Sequence, residues 1–347
     1  MTTLSEAYKE HPLSLQHIIP LDFQSLHKVP DSHLWPKITD PKQYASIPTV
    51  DLLAPNVVEL IGHACETWGM FHVVNHGVSS ALVDEVESQA YRLFSLPASR
   101  KMKALRSPGG ATGYGAARIS PFFPKLMWHE GFTIMGSPAD HARQLWPHDH
   151  QHFCDTMENY QKKMKALAFK LFLLTLNSIG ASEQHLKWIN PSSSSPAATQ
   201  SEGALQLNSY PRCPNPTHAI GLVPHTDSLF LTILHQSAAT DGLQVFKQGL
   251  GWAPVVPVAG GLVVNVGDLL HVLSNARFPT VYHRAVVNES VHRVSVAYFY
   301  GPPVDSVVAP VVRRDGDGAP AYRTVRVKDY LSMKAMHLDK ALSFIRL

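Results

Sequence analysis

The chain has 347 residues, of which 45% are hydrophobic and only 16% charged, and its 30 basic and 27 acidic side chains leave a formal net charge of +3. That balance excludes the basic excess of a nucleic-acid binder, and the apolar content excludes a disordered chain. The most apolar runs, Ala168–Ile179 and Gly261–Leu273, are shorter than the roughly 20 residues of a membrane span and carry Lys170, or Asn265 and Asp268.

Met1–Pro20 is polar and lacks a basic stretch leading into an apolar core, so no secretory signal is expected. The first 50 residues are rich in Pro, Ser and His and read as an irregular wrap. Ile47–Leu52 predicts a short strand, and the apolar spacing of Val57–Thr67 and Ala81–Phe94 predicts helices. Between them Trp68–Val78 reads as a strand closed by a turn at Asn75-His76-Gly77. Ser107–Phe123 is a long Gly-, Ala-, Ser- and Pro-rich segment without a period, and loops of that length usually have a task. Phe153–Ile179 predicts a long amphipathic helix stopped at Gly180, and Pro191–Pro196 a connector.

After about residue 204 short apolar runs recur: Leu205–Tyr210, Leu229–Leu234, Leu243–Phe246, Ala253–Val258, Leu262–Val266, Val281–Val287 and Val294–Tyr300. Gly, Pro, Asn and Asp separate them, the pattern of a β-sandwich or barrel. In the last run Val294, Val296 and Tyr298 share one face and Arg293, Ser295, Ala297 and Phe299 the other. Val327–Ile345 reads as a closing helix, which makes the fold class α+β, a β-core with flanking helices. Cys65, Cys154 and Cys213 cannot all pair, and so few cysteines fit a reducing, cytoplasmic compartment.

Twenty histidines raise the question of a metal. His148-Asp149-His150-Gln151-His152 is the densest cluster, but it precedes the long helix and reads as a solvated helix entrance. His72 and His76 lie on or after an apolar strand, and His235 and His271 sit inside the β-region, where packing or hydrogen bonding is the simpler role. His225-Thr226-Asp227 differs, because His-x-Asp on an extended segment puts an imidazole and a carboxylate on one side. His283, on another strand, is the candidate third ligand of a two-His, one-carboxylate face, the geometry of non-haem Fe(II) oxygenases. Arg293 and Ser295 share a strand face and suit one carboxylate, and Asn208 and Tyr210 put two polar side chains on an otherwise apolar strand.

The order Asn208-x-Tyr210, His225-x-Asp227, His283, Arg293-x-Ser295 resembles the plant 2-oxoglutarate- and Fe(II)-dependent dioxygenases. Leu207–Pro216, Gly221–Gln236, Gly242–Phe246, Val263–Asn275 and Val281–Asn288 resemble further blocks of that family, as do Trp68–Val78 and Leu93–Ala104 in the first half. Within it, Gly113–Pro138, Leu145–Cys154 and Val296–Pro303 are similar to the gibberellin 3-oxidases. One departure is Asn275-Ala276, where relatives have Asn-Gly.

The resemblance implies a double-stranded β-helix (jelly roll). It places a mostly helical dioxygenase region at 1–200, the jelly-roll core at 201–303, and an extension with a closing helix at 304–347. It implies Fe(II) held by His225, Asp227 and His283, which would be both metal ligands and catalytic centre. The co-substrates would be 2-oxoglutarate and O₂, with ascorbate as reductant. Arg293 and Ser295 would hold the far carboxylate of 2-oxoglutarate, Tyr210 would add a hydrogen bond, and Asn208 would lie near the chelating end. The implied reaction is 3β-hydroxylation of C19 gibberellin precursors with release of succinate and CO₂; 2- or 20-oxidation, or several of these, are the alternatives. Such a substrate is a rigid apolar acid, and the segment Gly113–Trp128 offers Tyr114, Arg118, Ser120, Phe123 and Trp128 to receive it, with Arg118 as partner of its carboxylate or else a solvated loop arginine. The expected partner is this small molecule alone, with no nucleic acid and no membrane, and the expected state is a monomer. A non-catalytic hormone-binding module would carry a broken triad, and a structural zinc site favours a closed tetrahedron rich in Cys and His.

Overall fold

The computed structural model describes residues 3–38, 43–181, 201–237, 241–312 and 319–347; the connector read at Pro191–Pro196 lies outside them. In chain order the helices are α1 (Leu4–Ala7), α2 (Val57–Thr67), α3 (Ser80–Phe94), α4 (Ala98–Lys101), α5 (Ala139–Leu145), α6 (Gln151–Ser178), α7 (Asp268–Leu273) and α8 (Val327–His337). The first strands are β1 (Thr49–Asp51), β2 (Met70–Val74), β3 (Gly113–Gly115) and β4 (Glu130–Ile134). There follow β5 (Glu202–Tyr210), β6 (Ile220–His225), β7 (Leu231–Gln236), β8 (Leu243–Lys247), β9 (Gly251–Pro254), β10 (Leu262–Val266), β11 (His283–Val286) and β12 (Arg293–Gly301).

Periodicity accounts for α2, α3 and α6. On α6 the buried Phe153, Met157, Tyr160, Met164, Leu167 and Leu171 recur every three or four residues, and Gly180 ends the run with φ 70°. The closing helix is shorter than the spacing predicts. Leu338 takes φ 47°, so α8 stops at His337 and the chain continues in 3₁₀ turns over Leu338–Ile345. β3 and β4 carry no alternation to betray them: β3 is Gly-Tyr-Gly, and β4 opens on a buried glutamate, Glu130.

Two sheets face each other. The major sheet runs β1-β2-β10-β7-β12-β5-β4-β3 and the minor β6-β11-β8-β9. Its central strands β10, β7, β12 and β5, with the four minor strands, make the jelly-roll core; strands that precede position 201 extend the major sheet at both edges. Val294, Val296 and Tyr298 of β12 pack outward into the main core with α6, where Phe172 stacks on Phe230 at 4.6 Å. Ala297 instead joins a smaller cluster with Leu234, Val245, Val263 and Val281, while Arg293, Ser295 and Phe299 turn to the space between the sheets. The β12–β5 ladder sets Arg293 against Tyr210 and Ser295 against Asn208; β6–β11 sets His225 against His283.

Asn275 and Ala276 both occupy the left-handed region, at φ 53° and 66°. The Asn275 Oδ1 accepts a hydrogen bond from the Ala321 N–H at 2.7 Å, tying the turn to the C-terminal segment. Asn tolerates this conformation; a Cβ at Ala276 does not sit easily there. Ala276→Gly is therefore expected to stabilise the protein by about 0.5–1 kcal/mol, read as a higher urea midpoint at unchanged slope.

Candidate active site

His225 ends β6, Asp227 follows it in the next turn, and His283 opens β11 beside β6. Register places the two imidazoles side by side, with ring centroids 4.3 Å apart. Each donates its Nδ1–H to a backbone carbonyl two residues earlier, His225 to Val223 at 2.8 Å and His283 to Val281 at 3.1 Å. The Nε2 lone pairs are thereby left to face Asp227, whose Oδ1 lies 3.8 Å from His225 and 4.0 Å from His283. The other carboxylate oxygen accepts the Thr232 hydroxyl at 2.7 Å.

Burial, and then the neighbouring His283, push the His225 imidazole far below its ordinary range. Burial works against the Asp227 carboxylate, but the two imidazoles, the Thr232 hydroxyl and the Lys334 ammonium outweigh it and hold the carboxyl below its usual value. One neutral imidazole, a second beside it and a carboxylate, with ligating atoms within 4.8 Å of one another, fit a divalent metal. No fourth Cys, His, Asp or Glu joins the group among the described residues. The set therefore suits an open Fe(II) face better than a closed zinc tetrahedron.

Arg293, 2% exposed, points from β12 into the same space. Its Nη2 donates to Gln236 Oε1 at 2.8 Å, whereas Nε and Nη1 are buried without an acceptor. The guanidinium packs over the Tyr210 ring at 5.1 Å. Asn208 Nδ2 donates to Ser295 Oγ at 3.4 Å, and Asn208 Oδ1 accepts from His129 Nε2 at 3.1 Å. Two buried donors on a fixed fork call for a carboxylate, so the cradle fits one end of a keto diacid. Gly242 makes the room: a Cβ there would stand 2.7 Å from Arg293 Cδ and Nε. Gln236, Gly242 and His129 are given no role by the sequence, although each lies in a stretch that resembles the family, Gly221–Gln236, Gly242–Phe246 and Gly113–Pro138.

A cavity of about 710 Å³ joins the triad and Arg293 to walls from three other parts of the chain. The N-terminal segment contributes Tyr8, His11, Leu13 and His17, and α8 with the turn after it contributes Leu331, Lys334, Ala335 and Leu338. Neither wall was foreseen from the sequence. The segment 106–122 supplies Arg106, Arg118, Ile119 and Phe122.

The other residues expected to receive the substrate do not line the cavity, contrary to that expectation, because each packs or bonds elsewhere. Tyr114 donates to buried Glu130 at 2.5 Å, beside the Lys101 ammonium. Ser120 Oγ pairs with His17 Nδ1 at 3.0 Å, Phe123 packs near Trp35, and Trp128 donates to the Pro211 carbonyl at 3.1 Å with its ring against Phe23. Arg118 does reach the wall, half-buried and tied by hydrogen bonds. It donates to the carbonyls of Gly110 at 2.6 Å, His11 at 3.2 Å and Tyr8 at 3.4 Å, and lies over the Tyr8 ring. Arg106 beside it is 3% exposed, donates to the Ala116 carbonyl and keeps a buried Nε without partner. Burial and the adjacent Arg118 push its guanidinium down to about 10.

Four further histidines take hydrogen-bonding roles. His152 pairs with Glu85 at 2.7 Å and His235 with Glu87 at 2.6 Å. His271 donates to the Phe278 carbonyl and accepts from the Tyr322 hydroxyl, while His76 bonds the Gly260 carbonyl.

The pattern of the 2OG-Fe(II) oxygenase superfamily matches residues 201–302, and that of the N-terminal region of non-haem dioxygenases in morphine synthesis matches 47–152. Gibberellin 3-beta-dioxygenase 1 of Pisum sativum is 49% identical, covering 100% of this chain and 94% of its own. Gibberellin 3-beta-dioxygenase 1 of Arabidopsis thaliana is 47% identical over 99% of this chain and 98% of its own. Among solved structures, JOX2 in complex with 2OG, Fe and JA superposes with a TM-score of 0.77 at 27% identity, covering 90% of this chain and 93% of that one. Identity of this extent over whole chains, together with a complete two-His, one-carboxylate group, settles the family. The chain belongs to the 2OG-Fe(II) oxygenase superfamily and, within it, to the plant gibberellin 3-beta-dioxygenases.

Proposed function

We propose that this enzyme hydroxylates C19 gibberellin precursors at C3 on the β face and so produces bioactive hormone. The observation that supports it most is the meeting, in one largely apolar cavity, of a metal-ligand face and an unmatched buried guanidinium. Bound Fe(II) and 2-oxoglutarate supply the oxidising chemistry, in which loss of CO₂ from the keto acid to give succinate activates O₂ for insertion into a C–H bond. The protein's part is to bind, orient and keep water out. His225, Asp227 and His283 are assigned to the metal. Arg293 and Ser295, with Tyr210, are assigned to the far carboxylate of 2-oxoglutarate, and Asn208 to orienting its other end. Arg118, half-buried, with the buried Arg106 at its side, is assigned to the gibberellin carboxylate: neither guanidinium has an ion-pair partner among the described residues, and positive charge held away from water without a counter-ion favours an anionic ligand. Ascorbate is the reductant that would keep the metal ferrous. The protein would act as a cytoplasmic monomer. Its three buried thiols are free, and among the described residues no helix is long and apolar enough to cross a membrane.

Incubation with Fe(II), ascorbate, 2-oxoglutarate and a panel of gibberellins, followed by mass spectrometry, should yield the 3β-hydroxylated product. Product oxidised only at C2 or C20 would reassign the position of attack, and no product from any precursor would refute the reading. His225→Ala and Asp227→Ala should each abolish turnover and iron retention, while His150→Ala should affect neither; equal loss in all three would overturn the metal assignment. Losing a charge-assisted bond costs about 1.5–3 kcal/mol. Arg293→Lys and Gly242→Ala, which remove and displace the fork, should therefore raise the KM for 2-oxoglutarate roughly 10–100-fold. Arg118→Ala should raise the KM for gibberellin and spare that for 2-oxoglutarate; an unchanged gibberellin KM would remove Arg118 from the substrate site.

A further inference from the structure

We infer that Lys334, on the C-terminal helix α8, is a positioning residue that holds the His225–Asp227 turn in the shape a metal requires. Thr226 stands between two of the three assigned ligands, and its polar groups are engaged by a buried cluster. Lys334 Nζ donates to Thr226 Oγ1 at 2.5 Å, to Asp268 Oδ2 at 2.7 Å and to Asp339 Oδ1 at 3.3 Å. The Thr226 hydroxyl donates to Asp268 Oδ2 at 3.2 Å, and its backbone N–H, just past the end of β6, finds Asp339 Oδ1 at 3.2 Å. Asp268 is fully buried and also accepts the Tyr330 and Thr280 hydroxyls, each at 2.7 Å. Its own backbone N–H donates to the Asp227 carbonyl at 2.8 Å.

The turn is thus gripped at successive residues by groups far away in sequence, Lys334 lying 108 residues beyond Thr226. Stability alone does not account for this. A buried ion pair contributes little net stability, and an apolar pair of the same volume would serve the fold as well. What the Lys334–Asp268 pair adds is direction: one donor of the ammonium and one oxygen of the carboxylate both go to Thr226. Leu331, Ala335 and Leu338 of the same region line the cavity, so a single element walls the substrate space and sets the ligand turn.

The inference rests on the metal assignment proposed above, and the experiment separates the two. The full chain is titrated with Co(II) alone and followed by visible absorption, with melting temperature recorded for each variant. Groups that orient metal ligands typically govern affinity by about 10–100-fold. Lys334→Met and Thr226→Val are expected to weaken Co(II) binding by that amount, with kcat falling more than the gibberellin KM rises. Lys328→Met, on the same helix, removes only a surface pair with Glu10 of the N-terminal segment and should bind Co(II) as the wild type does. Lys334→Met leaves Asp268 buried without its cation and can unfold; Thr226→Val keeps the ion pair and the volume, and so carries the test. Wild-type Co(II) affinity in Thr226→Val would overturn the inference alone, whereas a wild-type chain that takes up no Co(II) would overturn the metal assignment and the inference with it.

Discussion

The antiparallel pairing of β6 with β11 is the contact on which the site depends. Side chains alternate along a strand, so a slip of one residue would send one imidazole to the opposite face of the sheet. The observed register sets His283 opposite His225 and leaves both rings over the turn that carries Asp227. The carbonyls of Val223, on β6, and of Val281, just before β11, accept the Nδ1 protons, so the backbone beside the pair also sets which nitrogen faces Asp227.

The remaining architecture braces that pairing. The major sheet supplies Arg293, Ser295, Asn208 and Tyr210 from one ladder, β12 against β5, and the long helix α6 packs on its outer face. Helices, N-terminal segment and C-terminal helix then close around the open side. A chain with few charges makes the buried ones conspicuous. Lys101 meets Glu130 at 2.6 Å and Lys334 meets Asp268 at 2.7 Å, each within further hydrogen bonds. The buried Arg293 and Arg106 and the half-buried Arg118 have no such carboxylate among the described residues, and all three line the cavity. In a low-dielectric interior unmatched charge is costly, and it persists where a ligand completes it.

Much of the fold was legible where periodicity is strong. Ile61, Ala64 and Cys65 on α2, and the alternation of Val294, Val296 and Tyr298 on β12, announced themselves because one face of each element is buried. β3, β4 and the break at Leu338 were not legible. Their conformations answer to neighbours, the first two to the edge of a sheet and the third to a backbone turn with positive φ. The same division holds in the site. His225-x-Asp227 and Arg293-x-Ser295 are local patterns with a period of two, while Gly242 matters only because an arginine 51 positions away lies where its Cβ would be.

The sequence by itself determined the chemistry: which residues can ligate a metal, which fork can hold a keto acid, and that an apolar core surrounds them. These follow from side-chain type and short-range spacing, which the chain carries wherever it folds. Tertiary structure decided what those residues meet. It turned Tyr114, Phe123 and Trp128 inward, bound Arg118 to the N-terminal segment, and brought Lys334 to the ligand turn. No local pattern encodes such contacts, because all but that of Tyr114 join segments more than eighty residues apart and exist only once both sheets and the flanking helices have packed together.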